Sequence, residues 1–253
     1  MVFIAGHRGA RDLWPENSIL GFRNLCSLGV DAVEFDVHQS SDGGIVVIHD
    51  PLLDRTTHDT GPVGDRSLNR LTSTRLRDAG DECIPTLSSV LDVYAARALE
   101  LHIEIKTDAL GNSYQGLEAK LLDEIKRRGL ERRAILTCFV PEVIETVRRL
   151  SPDARVLVSL DRRSAEMMSG IAPALERLAK IRDCIVAIEK GLLTPALPLA
   201  LGVLGTSRLG AWVTNTPEDI GYWLAQPVRQ ITTDRPDLAV DIRRKRAAVP
   251  AAS

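Results

Sequence analysis

Two short runs carry charged residues at a spacing of two: AVEFDV, with Glu34 and Asp36, and LHIEIK, with Glu104 and Lys106. On an extended strand, residues two apart share a face. Glu34 and Asp36 then point one way and Val33, Phe35 and Val37 the other, while Glu104 and Lys106 oppose Ile103 and Ile105. On strands buried on both faces, such carboxylates are costly unless positive charge neutralises them. Three hard oxygen donors from neighbouring strands suit magnesium or calcium better than a soft metal. Three carboxylates are balanced by one divalent ion and Lys106, which leaves Arg8 to match a singly negative ligand. A phosphodiester has that charge, and a guanidinium fits its oxygens.

All five histidines lie in the first 102 residues, and His7 and His49 each end an apolar, strand-like run. Two imidazoles can divide general base and general acid duties near neutral pH. Phosphodiester cleavage needs that division, together with positive charge to hold the phosphoryl oxygens. Gly9, directly after His7 and Arg8, lets the backbone turn sharply there. His38 shares the parity of Glu34 and Asp36 but reads as the start of a loop, and His58 and His102 read as structural. Each feature alone has a plainer reading: a strand-end histidine can simply pack, an ExD pair can be a solvated face, and His-Asp-Pro is a turn signal.

The elements that must position these residues alternate in eight β then α cycles. Expected strands are Phe3 to Gly6, Ala32 to Val37, Leu101 to Ile105, Ala134 to Cys138, Arg155 to Leu160, Ile185 to Ile188, Ala211 to Thr214 and Gln230 to Thr233. The intervening stretches, such as GLEAKLLDEIKRRG and PEVIETVRRL, have helical periodicity with glycine or proline at their ends. Eight such units in 253 residues fit a (β/α)8 TIM barrel, with a doubly wound open sheet as the competing architecture. The candidate residues lie toward the C-terminal strand ends, where barrels keep their active sites. One polar segment, about 50–85, has no long helix and is expected as an insertion over the mouth. Residues 1–240 are read as one barrel domain and 241–253 as a frayed basic tail.

With a net charge of −2 and 26% charged residues, the chain has no basic stripe for nucleic acid. No apolar run reaches the length of a membrane span and no leader is evident, so a cytoplasmic protein without stable membrane association is expected. Cys26, Cys83, Cys138 and Cys184 are far apart and read as buried free thiols. Oligomeric state is not legible.

HRGA, PENS, EFDVHQSSDGGIVVIHDPLLDRTT, IPTLSSVL, LHIEIK, WVTNTPEDI and ITTDRPDL follow one another in the order and approximate spacing of the glycerophosphodiester phosphodiesterase family, which the chain resembles from His7 to about Leu238. The resemblance implies a TIM barrel with a small insertion after the HD motif. It also implies hydrolysis of glycerophosphodiesters, such as glycerophosphocholine or glycerophosphoethanolamine, to glycerol 3-phosphate and an alcohol, with magnesium or calcium. Matched motif by motif, it implies acid and base roles for His7 and His49 and phosphate contacts for Arg8 and Lys106. Glu34, Asp36 and Glu104 become metal ligands, with Trp212 and Phe139 on the pocket wall. AWVTN stands where Trp-Thr-Val-Asn is commoner and LTCF replaces a Ser-rich version, which bears on the leaving alcohol; Glu189 receives no role. A lysophospholipase D relative, with LLTPALPLALGVLG (192–205) as an apolar ramp, and a non-catalytic phosphate-binding barrel are the alternatives.

Overall fold

A computed structural model describes residues 1–248. Nine strands form, in chain order, β1 (Phe3–His7), β2 (Ala32–Gln39), β3 (Ile45–Val47), β4 (Glu100–Ile105), β5 (Ala134–Cys138), β6 (Arg155–Leu160), β7 (Ile185–Glu189), β8 (Leu209–Trp212) and β9 (Gln230–Thr233). The sheet runs β1-β9-β8-β7-β6-β5-β4-β2-β3, and β1 also pairs with β2. That last pairing closes eight parallel strands into a (β/α)8 barrel, while β3 is a short antiparallel addition on β2, with Val37 opposite Val47. An open doubly wound sheet is thereby excluded.

The strands are buried on both faces, as all-parallel sheets require, so their sequences are dense in β-branched and aliphatic residues. Helices start and stop on local chemistry. Thr86 accepts the Ser89 amide at the head of Leu87–Tyr94, Pro141 and Pro217 occupy first turns, and Gly129, at φ 64°, ends the turn after Leu117–Arg127. The main core lies between barrel and helices. Inside the barrel, Ile135, Leu157, Ile185 and Ala187 pack beneath Trp212, so β5 to β7 present an apolar wall and the polar residues gather on β1, β2 and β4.

Three expectations are corrected. The seventh barrel strand spans Leu209–Trp212, two residues earlier than expected, because the Asn215 side chain turns to the segment after β9 and the Thr214 amide reaches the Thr232 carbonyl. The basic tail is not frayed through Ala248: Pro236–Ala248 is a helix in which Arg243 pairs with Asp31 and donates to the Gly29 carbonyl at 3.0 Å. Residues 249–253 lie outside the described residues. All four cysteines are free, but only Cys138 and Cys184 are buried.

Residues 48–86 fold around their own small core of Ile48, Leu53, Val63, Leu71, Leu76 and Ile84. Short antiparallel bridges, Leu52 to Pro62 and Thr57 to Leu76, replace long helices. The segment returns to the barrel at Thr86, so its His49, Asp50 and Arg55 stay at the mouth.

Candidate active site

The register of the sheet brings the charged residues together. His7 pairs with Glu34 across β1 and β2, and Asp36 pairs with Glu104 across β2 and β4. Because alternate side chains of adjacent barrel strands point inward, Glu34, Asp36 and Glu104 each offer an oxygen within 4.8 Å of the others. All three are buried, at 7%, 0% and 8% exposure.

The HRGA turn answers to Gly9. Arg8, Gly9 and Ala10 all have positive φ (50°, 77° and 71°), which reverses the chain and aims the Arg8 amide at Glu34 Oε2, 3.1 Å away. A Cβ on Gly9 would meet the Phe22 ring at 3.0 Å, so glycine is required there by conformation and by space. The two non-glycine residues in this region carry backbone strain of about 1 kcal/mol or more each, held in place by the surrounding bonds. Asn17, also left-handed at φ 55°, donates its backbone N–H to the Arg8 carbonyl and its side-chain amide to Asp36 Oδ2 at 2.9 Å.

Positive charge faces the trio from two sides. Lys106 Nζ lies 3.0 Å from Asp36 Oδ1 and also pairs with Glu104, while Arg8 Nε lies 3.4 Å from Asp36 Oδ2. Burial alone would raise the Asp36 pKa, yet Lys106 and Arg8 hold it well below the usual carboxylate range. Glu34 goes the other way: burial, with Asp36 and Glu104 alongside, pushes its carboxyl well above the ordinary value. The local charges of three carboxylates, Arg8 and Lys106 therefore leave one negative charge under-compensated.

Oxygens lack partners to match. Glu34 Oε1 is buried with no hydrogen bond, and Asp36 Oδ1 touches the ammonium of Lys106 off the hydrogen-bond direction. Orphaned hard oxygens on a surplus-negative cluster are what a divalent cation would satisfy. The residues present thus fit magnesium or calcium, with Glu34, Asp36 and Glu104 as the donors that could hold it.

His7 and His49 are each held by an aspartate. His7 Nε2 is 3.8 Å from Glu34 Oε2, and its Nδ1 meets Asp234 Oδ1 at 2.5 Å. His49 Nδ1 meets Asp50 Oδ1 at 2.6 Å, and burial lowers the His49 pKa below its ordinary value. Asp50 is gripped in turn by Arg55 (2.6 Å), which also clamps Glu16 at 2.7 and 2.8 Å; Glu16 accepts from Arg8 at 3.2 Å. The insertion is thereby tied to both His49 and the Arg8 turn. These surface-facing pairs act through geometry more than through net stabilisation.

A cavity of about 320 Å³ opens at this end of the barrel. Its walls include His7, Arg8, Glu34, His49, Glu104 and Lys106, and Phe139 and Trp212 close the far side. The two aromatic rings pack edge to face, centroids 5.7 Å apart, and Trp212 Nε1 donates to the Ala187 carbonyl. Lys106 Nζ is 5.9 Å from the Phe139 centroid. Asp36 lies behind the wall, fully covered, and Glu189 is outside it. Every residue singled out from the sequence as a site residue except Asp36 borders this one space, and Asp36 is reached through its neighbours.

His38 is not at a loop start. It lies inside β2, fully buried, and its Nε2 reaches the His49 carbonyl at 3.0 Å while Nδ1 meets the Tyr114 hydroxyl at 2.8 Å. A carbonyl only accepts, so Nε2 carries the proton and Nδ1 accepts from Tyr114. Burial pushes this imidazole down to about 4 from 6.5. The folded protein resists protonation that the unfolded chain accepts, so this stabilisation is complete above pH 6.5 and is lost as pH falls toward 4. The difference corresponds to about 3 kcal/mol. Urea unfolding of wild type and His38→Gln between pH 7 and 4 is expected to show a steeper loss in wild type; parallel curves would contradict the neutral assignment.

Glu16, Asn17, Asp50, Arg55, Asn215, Asp234 and Tyr114 escaped the residue-by-residue reading. PENS, HD, WVTN and ITTDRP contained five of them as motif letters, without a local reason to assign each a partner.

Comparison with known proteins meets this geometry. Residues 7–238 match the model of the glycerophosphoryl diester phosphodiesterase family. A glycerophosphodiester phosphodiesterase of Caldanaerobacter subterraneus subsp. tengcongensis is 34% identical over 250 residues, covering 96% of this chain and 98% of that protein. A provisionally assigned glycerophosphoryl diester phosphodiesterase of Agrobacterium tumefaciens superposes with a TM-score of 0.89 at 25% identity, over 98% of this chain and 100% of that one. An Oleispira antarctica phosphodiesterase, solved in complex with the product sn-glycerol-3-phosphate, shares the fold with a TM-score of 0.79 at 21% identity, over 96% of each chain. The family match and the relatives together define a phosphoric diester hydrolase. The chain belongs to the glycerophosphoryl diester phosphodiesterase family.

Proposed function

We propose that this enzyme is a metal-dependent hydrolase of glycerophosphodiesters such as glycerophosphocholine and glycerophosphoethanolamine, releasing glycerol 3-phosphate and an alcohol. The observation that carries the reading is one cavity lined by two histidines, two cations, Glu34 and Glu104, with Asp36 buried directly behind and within 4.8 Å of both carboxylates. Glu34, Asp36 and Glu104 would hold Mg2+ or Ca2+; when bound, that ion supplies positive charge for the phosphoryl oxygens. Arg8 and Lys106 bind the phosphate, Arg8 through its planar fork and Lys106 as a point charge. His7 and His49, which both line the cavity, divide the proton transfers: one removes the proton from the attacking hydroxyl and the other protonates the departing oxygen. Both transfers are needed whether the attacking hydroxyl is the substrate's own or water's. Trp212 and Phe139 bound the pocket for the organic part of the substrate. The working unit is the barrel together with its last helix, Pro236–Ala248, with the insertion at about 50–85 as its rim.

A lipid substrate finds less support. Stretch 192–205 falls almost entirely within the helix Lys190–Leu204, whose Leu193, Leu197, Ala200 and Leu204 are buried, so packing on the barrel accounts for much of its apolar character. Among the described residues no helix is long and apolar enough to cross a membrane.

Incubation with glycerophosphocholine, glycerophosphoethanolamine and a lysophosphatidylcholine, each with and without chelator, tests the reading. Glycerol 3-phosphate is expected from the first two, abolished by chelator and restored by Mg2+ or Ca2+. Preference for the lysolipid would replace the substrate assignment, and full turnover in excess chelator would remove the metal.

A further inference from the structure

His7 is held from behind by a second set of residues, drawn from the far end of the chain. Its Nδ1 lies 2.5 Å from Asp234 Oδ1, and Asp234 is wholly buried just beyond β9. The other carboxylate oxygen, Oδ2, accepts from Asn215 Nδ2 at 2.7 Å and faces Arg11 Nε at 3.2 Å. Asn215 also accepts the Asp234 backbone N–H at 3.0 Å, so it grips its neighbour by side chain and main chain together. The three residues come from neighbouring strand ends, after β8, after β9 and at β1. Burial opposes ionisation of Asp234, but the bond to His7 and the donors Asn215 and Arg11 hold its pKa below the ordinary value.

We infer that Asp234, clamped by Asn215, is a positioning residue that holds the His7 ring through a proton on Nδ1 and so turns its Nε2 toward Glu34 and the cavity. This deepens the hydrolase reading above and rests on it. A carboxylate can only accept, so Asp234 leaves His7 one tautomer, and the double grip of Asn215 fixes the plane in which that bond forms. Without the clamp, the imidazole could place its proton on Nε2, where it faces a carboxylate oxygen 3.8 Å away and cannot take a proton from a hydroxyl. At His49 the partner Asp50 is half-buried and also binds Arg55.

The test uses an isosteric change with a predictable reversal. In Asp234→Asn the amide must turn its oxygen toward the donors Asn215 and Arg11, which presents its NH2 to His7 Nδ1 and moves the ring proton to Nε2. In Asp234→Asn combined with Asn215→Asp, the new carboxylate accepts that NH2, and the amide oxygen is again free for His7 Nδ1–H. Nitrogen-15 NMR of the His7 ring, at a pH where it is neutral, is expected to read Nδ1–H in wild type, Nε2–H in the single variant and Nδ1–H in the double. The kcat for glycerophosphocholine should fall about 100-fold in the single variant and recover at least tenfold in the double, with KM within threefold and Ca2+ affinity unchanged. Wild-type His7 protonated on Nε2, or an Asp234→Asn enzyme with unaltered tautomer and rate, would overturn the inference. A wild-type protein that releases nothing from any diester would instead remove the hydrolase reading, and the ring tautomer would still decide this one.

Discussion

Replacing His49 by alanine is expected to lower kcat for glycerophosphodiester hydrolysis by about 10³-fold, within the usual range for losing a general acid or base. The side chain is 30% exposed and its contact is with Asp50, so its removal opens no large core cavity. It touches none of Glu34, Asp36 and Glu104, so Mg2+ and Ca2+ affinity should stay within twofold of wild type. Steady-state kinetics with a parallel metal titration separates these effects. A rate near wild type would take His49 out of the mechanism, and a matching loss of metal binding would reassign it to the cation.

Changing Glu104 to glutamine should have the larger effect on metal. It removes one of three charges that face the cation while keeping the shape of the side chain. Loss of a partner one layer removed from a metal typically costs 10- to 100-fold in affinity, so loss of a direct donor is expected to cost at least about 100-fold. Turnover at a fixed, low metal concentration should fall by about 10³-fold and recover in part as metal is raised. The metal-free protein should not be weakened. Glu104 is one of the charges that pushes the Glu34 carboxyl upward, so neutralising it relieves crowding among buried carboxylates. Lys106 keeps its contact with Asp36 at 3.0 Å. Thermal unfolding should therefore show an unchanged or higher midpoint without metal and loss of the stabilisation that metal gives wild type. An unaltered metal-induced shift would show that Glu104 is not a donor.

How far these residues could be read from the sequence depended on the range of the physics involved. Glu34 and Asp36 were legible because the two-residue period of a strand is local and both faces of β2 are buried. Glu104 and Lys106 followed by the same rule on β4. That Asp36 stands beside Glu104 was not legible in this way, since register is set by closure of the whole barrel. Asp234 lies 227 residues from His7, and an aspartate before Arg235 and Pro236 reads locally as the ordinary prelude to a helix. Arg55 sits in a polar segment of many similar residues, and only the fold of the insertion brings it to Asp50 and Glu16 together. His38 was missed for the same reason. Its parity was right, but a histidine one residue from the strand end gives no sign of a tyrosine 76 positions onward that makes its burial tolerable. RRKR near the C-terminus looked like a frayed tail because the partners of its first residue, Arg243, are Asp31 and the Gly29 carbonyl, at the opposite end of the chain.

Titration of Mg2+ or Ca2+ into chelator-stripped protein by calorimetry, with glycerol 3-phosphate release followed on the same samples, tests the central claim most directly. One ion per chain, with turnover rising in proportion to occupancy, is the predicted result. Full turnover before any ion has bound, or binding that survives removal of all three charges at Glu34, Asp36 and Glu104, would contradict it.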